Sequence, residues 1–594
     1  MNKKLILVIG VLFSITIQSQ TLKLEEIMKG NTFIGVPPEN ERWSLDGQKV
    51  YFEWNPNNEL GTSTYFWKNG LSKPELASPN DVAFSKLDFK KTSNPDLHYY
   101  IDKGSLFSYA LKSKTSKKLY QQSSPISNLQ MGAVPGILYF RQNENLFQFN
   151  TNEGSVIQIT NFRKGKAEDK PADKESFLKS QQEELFQFIR DQEALKKWNL
   201  AKSKTIKSDF PKPYFYGKNN FGSLKVDPKG NFATFRLIED SERKNKKMEV
   251  FITADGYNQI EDTKAKVSTD NLLASKFGVY DIAKDSVYFV NFSSLSHIQD
   301  VPKYSELYEK SKTTEKKDKL IVVQEPIYNE NGSYAIAEIR SQDNKDRWIV
   351  SLNLKKGTFQ ELDHQHDEAW IGGPGIPSYS FGRGTLGFLG DNETVYFQSE
   401  ETGYSHLYTY NLKSKKKTQL TKGNWEVRNV NLSKDKKSFY LTTTTTHPGN
   451  RDFYKLEVAN AVLQPILTKD GAHEVSLSPD ESTLIVRYSY KNKPWELYVA
   501  PNKKNTNLIQ ITTSTSESFK KYAWREPDVI TFKAQDGTPV NARLYKPQTA
   551  NANKAAILFV HGAGYLQNAH NYWSTYHREY MFHNLLVDLG YTVL

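Results

Sequence analysis

A glycine-rich loop near the end of the sequence carries the residue types that could stabilise an oxyanion. The apolar run Ala555–Val560 is typical of a strand buried in a parallel sheet, and it leads directly into His561-Gly562-Ala563-Gly564. Glycine lets backbone N–H groups approach a negatively charged oxygen closely. His561, Gly562 and Ala563 are therefore candidates for an oxyanion-binding loop. A tight glycine turn without a catalytic role is the structural alternative.

The segments around this loop predict the elements that would position it. Val529–Lys533 and Val540–Tyr545 have the composition of strands, Tyr572–Leu589 has helical character, and Gly590–Leu594 starts another strand. This order predicts the beginning of a mostly parallel sheet. A His-Gly-Gly type loop after the third strand supplies an oxyanion-hole N–H in α/β-hydrolases. An α/β-hydrolase domain is therefore predicted to begin near residue 526.

The nucleophile that such a loop would serve is missing from the sequence. The serine of an α/β-hydrolase lies in Gly-x-Ser-x-Gly, and no serine among the 594 residues has this context. Cysteine is absent, which excludes a cysteine nucleophile, disulfide bonds and cysteine-ligated metals. Residues 526–594 also fall short of the roughly 200 residues that a complete hydrolase domain needs. We therefore expect a truncated domain without a catalytic triad.

Repeated strand patterns fill most of the chain before residue 520. Tyr396, Tyr440 and Ile485 occupy equivalent positions that are 44 and 45 residues apart. A period in the forties with several short strands per repeat is typical of a β-propeller blade. Looser copies occur earlier, and we predict seven to eight blades between about residues 40 and 520. A pair of β-sandwiches is the alternative architecture.

One segment interrupts the β pattern between about residues 165 and 200. Lys174–Trp198 carries apolar residues near helical spacing with charged residues between them, which predicts an amphipathic helix. Such a helix could line a substrate opening, form a domain interface or lie on the surface, and the sequence leaves these alternatives open.

The first twenty residues have the pattern of an export signal. Lys3 and Lys4 precede the apolar Leu5–Ile17, and Ser19-Gln20 offers a cleavage site. A buried N-terminal strand or an uncleaved anchor is the alternative. No later apolar run reaches 18 residues, so we predict an exported mature protein outside the membrane, which in a Gram-negative cell is periplasmic. The net charge of +12 does not indicate nucleic-acid binding, because the lysine clusters fall at turns between strands.

Three segments give the sequence a family resemblance. Ser405-His406-Leu407-Tyr408, Leu420–Val427 and Val560–Gln567 resemble the prolyl oligopeptidase family of serine peptidases, in its dipeptidyl-peptidase-IV-like branch. The resemblance implies an eight-bladed propeller over an α/β-hydrolase catalytic domain. It also implies cleavage of short peptides, often after proline, by Ser, Asp and His, and homodimerisation of the full-length enzyme.

The resemblance transfers to few site residues. His561 stands where the family has a Tyr or His beside the oxyanion hole, and Gly562 and Ala563 would shape that loop. The branch binds a substrate amine through Asp-Trp-x-Tyr-Glu-Glu, which is absent here. Glu183 and Glu184, in the predicted helix, are weak candidates for that role, so dipeptide release is not implied. The family's Ser, Asp and His all follow the oxyanion strand, and no histidine is assigned as the base.

The sequence thus predicts a mainly β protein. We expect a signal peptide at 1–20, a seven- or eight-bladed β-propeller at 21–525 and an incomplete α/β-hydrolase domain at 526–594. The predicted function is the N-terminal part of an exported serine peptidase, inactive alone, with short peptides as ligands and no cofactor, metal or nucleic acid. The alternative is a catalytically inactive propeller that binds peptides or proteins. An exposed apolar sheet edge should make the segment after about residue 520 sensitive to proteases.

Overall fold

The computed structural model describes residues 22–166, 190–192, 194–199, 202, 210–240, 245–265, 273–303, 307, 316–379, 382–562, 567–574 and 576–594. The chain forms two compact units, one containing the residues up to Lys86 together with Gly423–Leu594 and the other containing Leu87–Lys422. No helix in the described ranges is long and apolar enough to cross a membrane. The predicted signal peptide at 1–20 lies outside the described residues.

Eight antiparallel sheets of four or five strands follow one another along the described chain, and most are hydrogen-bonded in the order of their strands. Blade 1 contains β1 (Val36–Trp43), β2 (Lys49–Asn55), β3 (Ser63–Lys68) and β4 (Glu75–Leu76). Blade 2 contains β5 (Lys90–Lys91), β6 (Leu97–Asp102), β7 (Ser105–Ala110) and β8 (Thr115–Tyr120). Blade 3 contains β9 (Ile126–Met131), β10 (Ile137–Gln142), β11 (Asn145–Asn150) and β12 (Ser155–Gln158).

The fourth and fifth blades depart from this simple order. β13 (Phe162–Arg163) pairs in parallel with β14 (Tyr214–Phe215) before blade 4. The hairpin of β17 (Asn245–Val250) and β18 (Gln259–Ala265) is inserted into blade 4, and β22 (Ile327–Tyr328) is an extra strand that pairs with β23 (Ala335–Ser341) in blade 5. Their strands are β15 (Asn220–Val226), β16 (Phe232–Ile238), β17 (Asn245–Val250), β18 (Gln259–Ala265), β19 (Ser275–Asp281) and β20 (Ser286–Phe289); then β21 (Ile321–Val323), β22 (Ile327–Tyr328), β23 (Ala335–Ser341), β24 (Asp346–Asn353) and β25 (Thr358–His366).

Blades 6 to 8 are the most regular. They contain β26 (Leu386–Phe388), β27 (Thr394–Ser399), β28 (His406–Asn411) and β29 (Lys416–Gln419); β30 (Val427–Leu432), β31 (Ser438–Thr443), β32 (Asp452–Glu457) and β33 (Leu463–Leu467); and β34 (Ala472–Leu477), β35 (Thr483–Tyr490), β36 (Lys493–Pro501) and β37 (Ile509–Gln510). The repeat positions Tyr396, Tyr440 and Ile485 all fall in the second strand of their blade. The predicted propeller is confirmed, with eight blades.

The remaining elements flank the blades. The helices are α1 (Leu24–Met28), α2 (Asn31–Ile34), α3 (Pro79–Ser85), α4 (Glu517–Lys520) and α5 (His577–Asp588), with a 3₁₀ turn at Thr549–Asn551. The last strands are β38 (Asp528–Lys533), β39 (Pro539–Leu544), β40 (Ala556–Ile557) and β41 (Thr592–Val593).

A hydrogen-bonded turn starts the second strand in blades 1, 7 and 8. In blade 7 the Ser433 hydroxyl donates to Asp435 at 2.6 Å and accepts the backbone N–H of Ser438 at 3.0 Å. Such local side-chain bonds fix a turn by replacing backbone partners. The spacing seen in the sequence therefore has a structural cause. The same two bonds are made by Ser44, Asp46 and Lys49, and by Ser478, Asp480 and Thr483.

Neighbouring blades within a unit cover both faces of the inner strands. In β35, Leu484 and Val486 pack with Tyr440 and other residues of blade 7. Ile485 points to the opposite face and packs with Phe52 and further residues of blade 1. Since successive strand residues face opposite sides, three consecutive apolar residues are needed here, and all three are fully buried.

The predicted helical insertion is described only in part. Residues 190–192 and 194–199 are helical, in agreement with the end of the predicted helix. Leu195 and Trp198 are 51% and 59% exposed, so neither is buried. The rest of the predicted helix, including Glu183 and Glu184, lies outside the described residues.

Blade 5 holds a buried carboxylate that has several donors. Asp346, at the start of β24, accepts hydrogen bonds from His364 at 2.9 Å and His366 at 2.7 Å, and it pairs with Lys319. Burial would raise the pKa of Asp346, but these three partners lower it to about 2. Burial would likewise lower the pKa of His366, but its bonds to Asp346 and Glu368 raise it. The cluster therefore stabilises the charged carboxylate at neutral pH.

Replacing Asp346 with Asn is expected to lower the free energy of unfolding at pH 7 by about 3 kcal/mol, because it leaves the nearly buried Lys319 without its closest counter-ion. The folded-state pKa lies below the ordinary value of 3.8. The stabilisation is therefore present above that pH and is lost as the pH falls from about 4 towards 2. Denaturant unfolding should show the difference between wild type and variant shrinking over that range.

The matched control is Asp88→Asn. Asp88 pairs with Lys90 at 2.6 Å, but its side chain is 80% exposed, so we expect a loss below about 1 kcal/mol. Equal losses in the two variants would contradict a stabilising role for the buried cluster.

Candidate functional site

Strands β38 to β41 and helix α5 form the region predicted to start a hydrolase domain. β38 and β39 make an antiparallel hairpin, and β40 pairs in parallel with β41. Tyr545, just after β39, exchanges two backbone hydrogen bonds with Val593, at 2.8 and 3.0 Å. β41 therefore lies between the end of the hairpin and β40. The predicted order of strand, loop, helix and parallel strand is confirmed.

The loop after β40 differs in part from the prediction. β40 is short, and Leu558 and Val560 are 68% and 85% exposed. The prediction of a continuously buried strand is thus wrong at these two residues, because no described strand or helix covers that face. His561 and Gly562 follow directly. Ala563 lies outside the described residues.

The geometry of His561 limits its role in a catalytic loop. Its Nδ1 lies 2.9 Å from the carbonyl oxygen of Gly562, which accepts a hydrogen bond only if Nδ1 carries the proton. In the neutral ring Nε2 then has no proton to donate. An oxyanion at this place would therefore be bound by backbone N–H groups and not by the neutral imidazole.

The segment after this loop packs against blades 7 and 8. The backbone N–H of Asn571 donates to Gly449 at 2.9 Å, and its side chain donates to Asn450 at 2.8 Å. The Trp495 indole donates to the Trp573 carbonyl at 3.0 Å. Hydrogen bonds within the chain thus satisfy polar groups that would bond to water if the segment were unfolded.

Helix α5 completes an apolar cluster with the chain's first described helices. Its Met581 is fully buried, and Trp573 just before the helix is 5% exposed. The expectation of a protease-sensitive segment after residue 520 therefore finds no support in the packing. The cluster comprises Leu22, Ile27, Phe33, Ile34, Phe519, Tyr522, Trp573 and Met581.

Two histidines in this segment are buried in a structural setting. Burial first, and then the charge of Arg543, lower the pKa of His583 to about 4 and that of His570 well below its ordinary value. His570 stacks on Tyr572 with ring centres 3.7 Å apart. Both rings are neutral at pH 7. Their packing agrees with the decision not to assign either as a catalytic base.

A cavity of about 180 Å³ lies between the ends of blades 7 and 8 and the segment 567–576. Its lining includes Arg428, Arg451, Glu474, Arg487, Trp495 and Tyr572. Sequence reasoning missed this site, because the residues lie far apart in sequence and belong to no motif. Only the packing of the C-terminal segment on the blades brings them together.

This architecture consists of eight propeller blades followed by strands and a helix arranged as at the start of an α/β-hydrolase sheet. Residues 314–495 match the family model of the dipeptidyl peptidase IV N-terminal region. The resemblance to the dipeptidyl-peptidase-IV-like branch of the prolyl oligopeptidase family is thereby confirmed.

Individual proteins agree with this result. Dipeptidyl peptidase 4 of Trichophyton rubrum is 28% identical over 235 residues, which cover 38% of this chain and 30% of that protein. Dipeptidyl peptidase 4 of Arthroderma otae is 30% identical over 218 residues, 35% of this chain and 27% of that protein. The matched region thus spans less than a third of these relatives.

A solved structure extends the similarity of fold to most of the chain. The crystal structure of Porphyromonas gingivalis dipeptidyl peptidase 4 matches with a TM-score of 0.60 at 12% identity, covering 97% of this chain and 73% of that one. A putative dipeptidyl aminopeptidase IV from Bacteroides ovatus gives a TM-score of 0.57 at 15% identity, covering 96% and 74%. At such low identity these matches show the fold alone.

Replacing Met581 with Ala is expected to loosen the packed C-terminal segment. Truncation of a fully buried Met leaves a cavity and costs about 2–5 kcal/mol. Limited proteolysis should therefore cut the variant between residues 526 and 594 faster than the wild type. The neighbouring Phe582 is 41% exposed, and Phe582→Ala should leave the cleavage rate nearly unchanged. A wild-type chain that loses this whole segment as readily as the variant would contradict the packing.

Proposed function

We propose that these 594 residues form the propeller and the first part of the catalytic domain of an exported serine peptidase that cleaves short peptides by acyl transfer. The observation that supports this most strongly is the packing of the hydrolase-type segment against blades 7 and 8 in one compact unit. This packing borders a cavity next to the segment that follows the candidate oxyanion loop. The similarity to dipeptidyl peptidase 4 proteins supports the same reaction class.

The roles in this proposal divide between the two parts of the chain. The propeller restricts access to short peptides and contributes binding residues. The loop at His561-Gly562 contributes backbone N–H groups to the oxyanion site, where fixed donors lower the barrier most effectively. The serine nucleophile, its histidine base and the orienting aspartate are not assigned to any residue of this sequence, because it has no Gly-x-Ser-x-Gly motif.

The second candidate function is a peptide- or protein-binding propeller without catalysis. The absence of a nucleophile motif favours it for the 594 residues taken alone. The two candidates share peptide binding and differ in whether a triad acts on the bound peptide.

The purified 594-residue chain is expected to bind short peptides without hydrolysing them. Fluorophosphonate labelling should leave its serines unmodified, because none has an elbow that activates it. Turnover of a prolyl dipeptide coumarin amide should equal that of a heat-denatured sample. If a serine is labelled and the substrate is turned over faster than by the heat-denatured sample, the chain contains a catalytic triad and the prediction is wrong. An absence of peptide binding by calorimetry would overturn the proposed role of the propeller.

We further propose that residues 1–20 direct export to the periplasm in a Gram-negative host. N-terminal sequencing of the exported protein is expected to begin at Thr21. Ile9→Arg should abolish export by interrupting the apolar run. A chain that stays in the cytoplasm with an intact N-terminus would contradict the proposal.

A further inference from the structure

The cavity between the blade ends and the segment 567–576 has an unusual charge balance. Three guanidinium groups, from Arg428, Arg451 and Arg487, line it together with one carboxylate, Glu474. Arg451 pairs with one oxygen of Glu474 at 2.6 Å, and Arg487 contacts the other at 3.0 Å. The single carboxylate is thus shared by two arginines, and positive charge is in excess.

Arg428 is the arginine without a counter-ion of its own. It makes no ion pair with any carboxylate in the described part of the chain. Burial and then the nearby charge of Arg451 lower its pKa, and smaller contributions from Tyr572 and Glu426 oppose this. A partly buried cation next to a second cation is unfavourable, since neither water nor an opposite charge compensates it fully. An anion in the cavity would remove this cost.

Aromatic side chains hold two of the arginines in place. The Arg487 guanidinium lies 4.9 Å from the centre of the Trp495 ring, and that of Arg451 lies 4.8 Å from the Tyr572 ring. Trp495 is 8% exposed and is fixed by its hydrogen bond to the Trp573 carbonyl. Stacked guanidinium groups lose little freedom when they bind. Arg451 and Arg487 are therefore oriented before any ligand arrives.

The size and walls of the cavity indicate the kind of anion. A volume of about 180 Å³ is below the roughly 300 Å³ at which pockets for whole small molecules begin. It suits one end of a larger ligand. Arginine forks match a carboxylate through two parallel hydrogen bonds, and the aromatic walls suit an apolar side chain beside it.

We propose that this cavity binds the C-terminal carboxylate of a short peptide, with Arg428 as the principal partner and Arg451 beside it. The inference rests on the proposed function, which supplies short peptides as ligands. The sequence lacks the glutamate motif that would bind the N-terminal amine of a peptide. A site for the C-terminal carboxylate would instead set the direction in which the peptide lies. Glu474 compensates part of the charge of Arg451 and Arg487, which leaves an excess of positive charge for one ligand carboxylate.

Calorimetry on the full 594-residue chain tests the inference with four probes. These are Ala-Ala-Phe as the free acid, the same peptide as its C-terminal amide, Ala-Glu-Phe amide and inorganic phosphate. We expect the free acid to bind at least about tenfold more tightly than its amide, as for other hydrogen bonds to charged groups. Ala-Glu-Phe amide and phosphate should bind no better than Ala-Ala-Phe amide.

Arg428→Gln should weaken binding of the free acid about tenfold, so that the variant binds the free acid and the amide equally. The affinity of Arg428→Lys for the free acid should lie between those of the wild type and Arg428→Gln. Lys434 is exposed in the turn before β31, so Lys434→Gln removes one charge from the same blade and should leave the affinity unchanged. Thermal unfolding of Arg428→Gln close to that of the wild type shows that the variant is folded.

The outcomes distinguish failure of the carboxylate site from failure of the proposed peptide-binding function. If neither form of Ala-Ala-Phe binds the wild type, the proposed peptide-binding function fails. If both forms bind equally and Arg428→Gln has no effect, peptide binding stands and the carboxylate site is wrong. If Ala-Glu-Phe amide or phosphate binds as tightly as the free acid of Ala-Ala-Phe, the cavity does not select a C-terminal carboxylate and the proposal is wrong.

Discussion

A four-stranded sheet with apolar residues on both faces cannot stay folded unless another layer covers each face. Within each unit a neighbouring blade supplies that layer. β35 shows the consequence, because Leu484 and Val486 face blade 7 while Ile485 faces blade 1. The apolar runs, the hydrogen-bonded turns before the second strands and the period of about 44 residues all serve this stacking.

The same requirement explains how the C-terminal segment is stabilised. Two parallel strands and one helix bury too little apolar surface to be stable alone. Met581 and Trp573 instead join a cluster with Phe519 and residues of the first helices. Hydrogen bonds from Asn571 and Trp495 then fix the segment on blades 7 and 8. These contacts hold residues that follow the loop at His561, and His561 and Gly562 themselves stay partly exposed.

Buried charge is treated in two contrasting ways in this molecule. Asp346 is surrounded by donors from Lys319, His364 and His366, so its charge is compensated within blade 5. In the cavity of the other unit, Glu474 is shared by two arginines and Arg428 has no carboxylate partner among the described residues. Removing one partner from a compensated cluster is destabilising, whereas the excess of positive charge beside the cavity is the basis of the carboxylate site proposed above.

Elements whose signals are local could be predicted from the sequence. Repeat spacing identified the second strands at Tyr396, Tyr440 and Ile485, and composition identified the order of β38 to β41 with α5. The predicted burial of Leu558 and Val560 failed, because burial depends on what covers a strand and not on the strand's own residues. The arginine cavity was not predictable, since Arg428, Arg451, Arg487 and Tyr572 meet only when distant segments pack. The contact between His561 Nδ1 and the Gly562 carbonyl was likewise visible only in the structure. Short-range spacing encodes strands and turns, whereas a binding site made of long side chains from separate blades exists only in the tertiary structure.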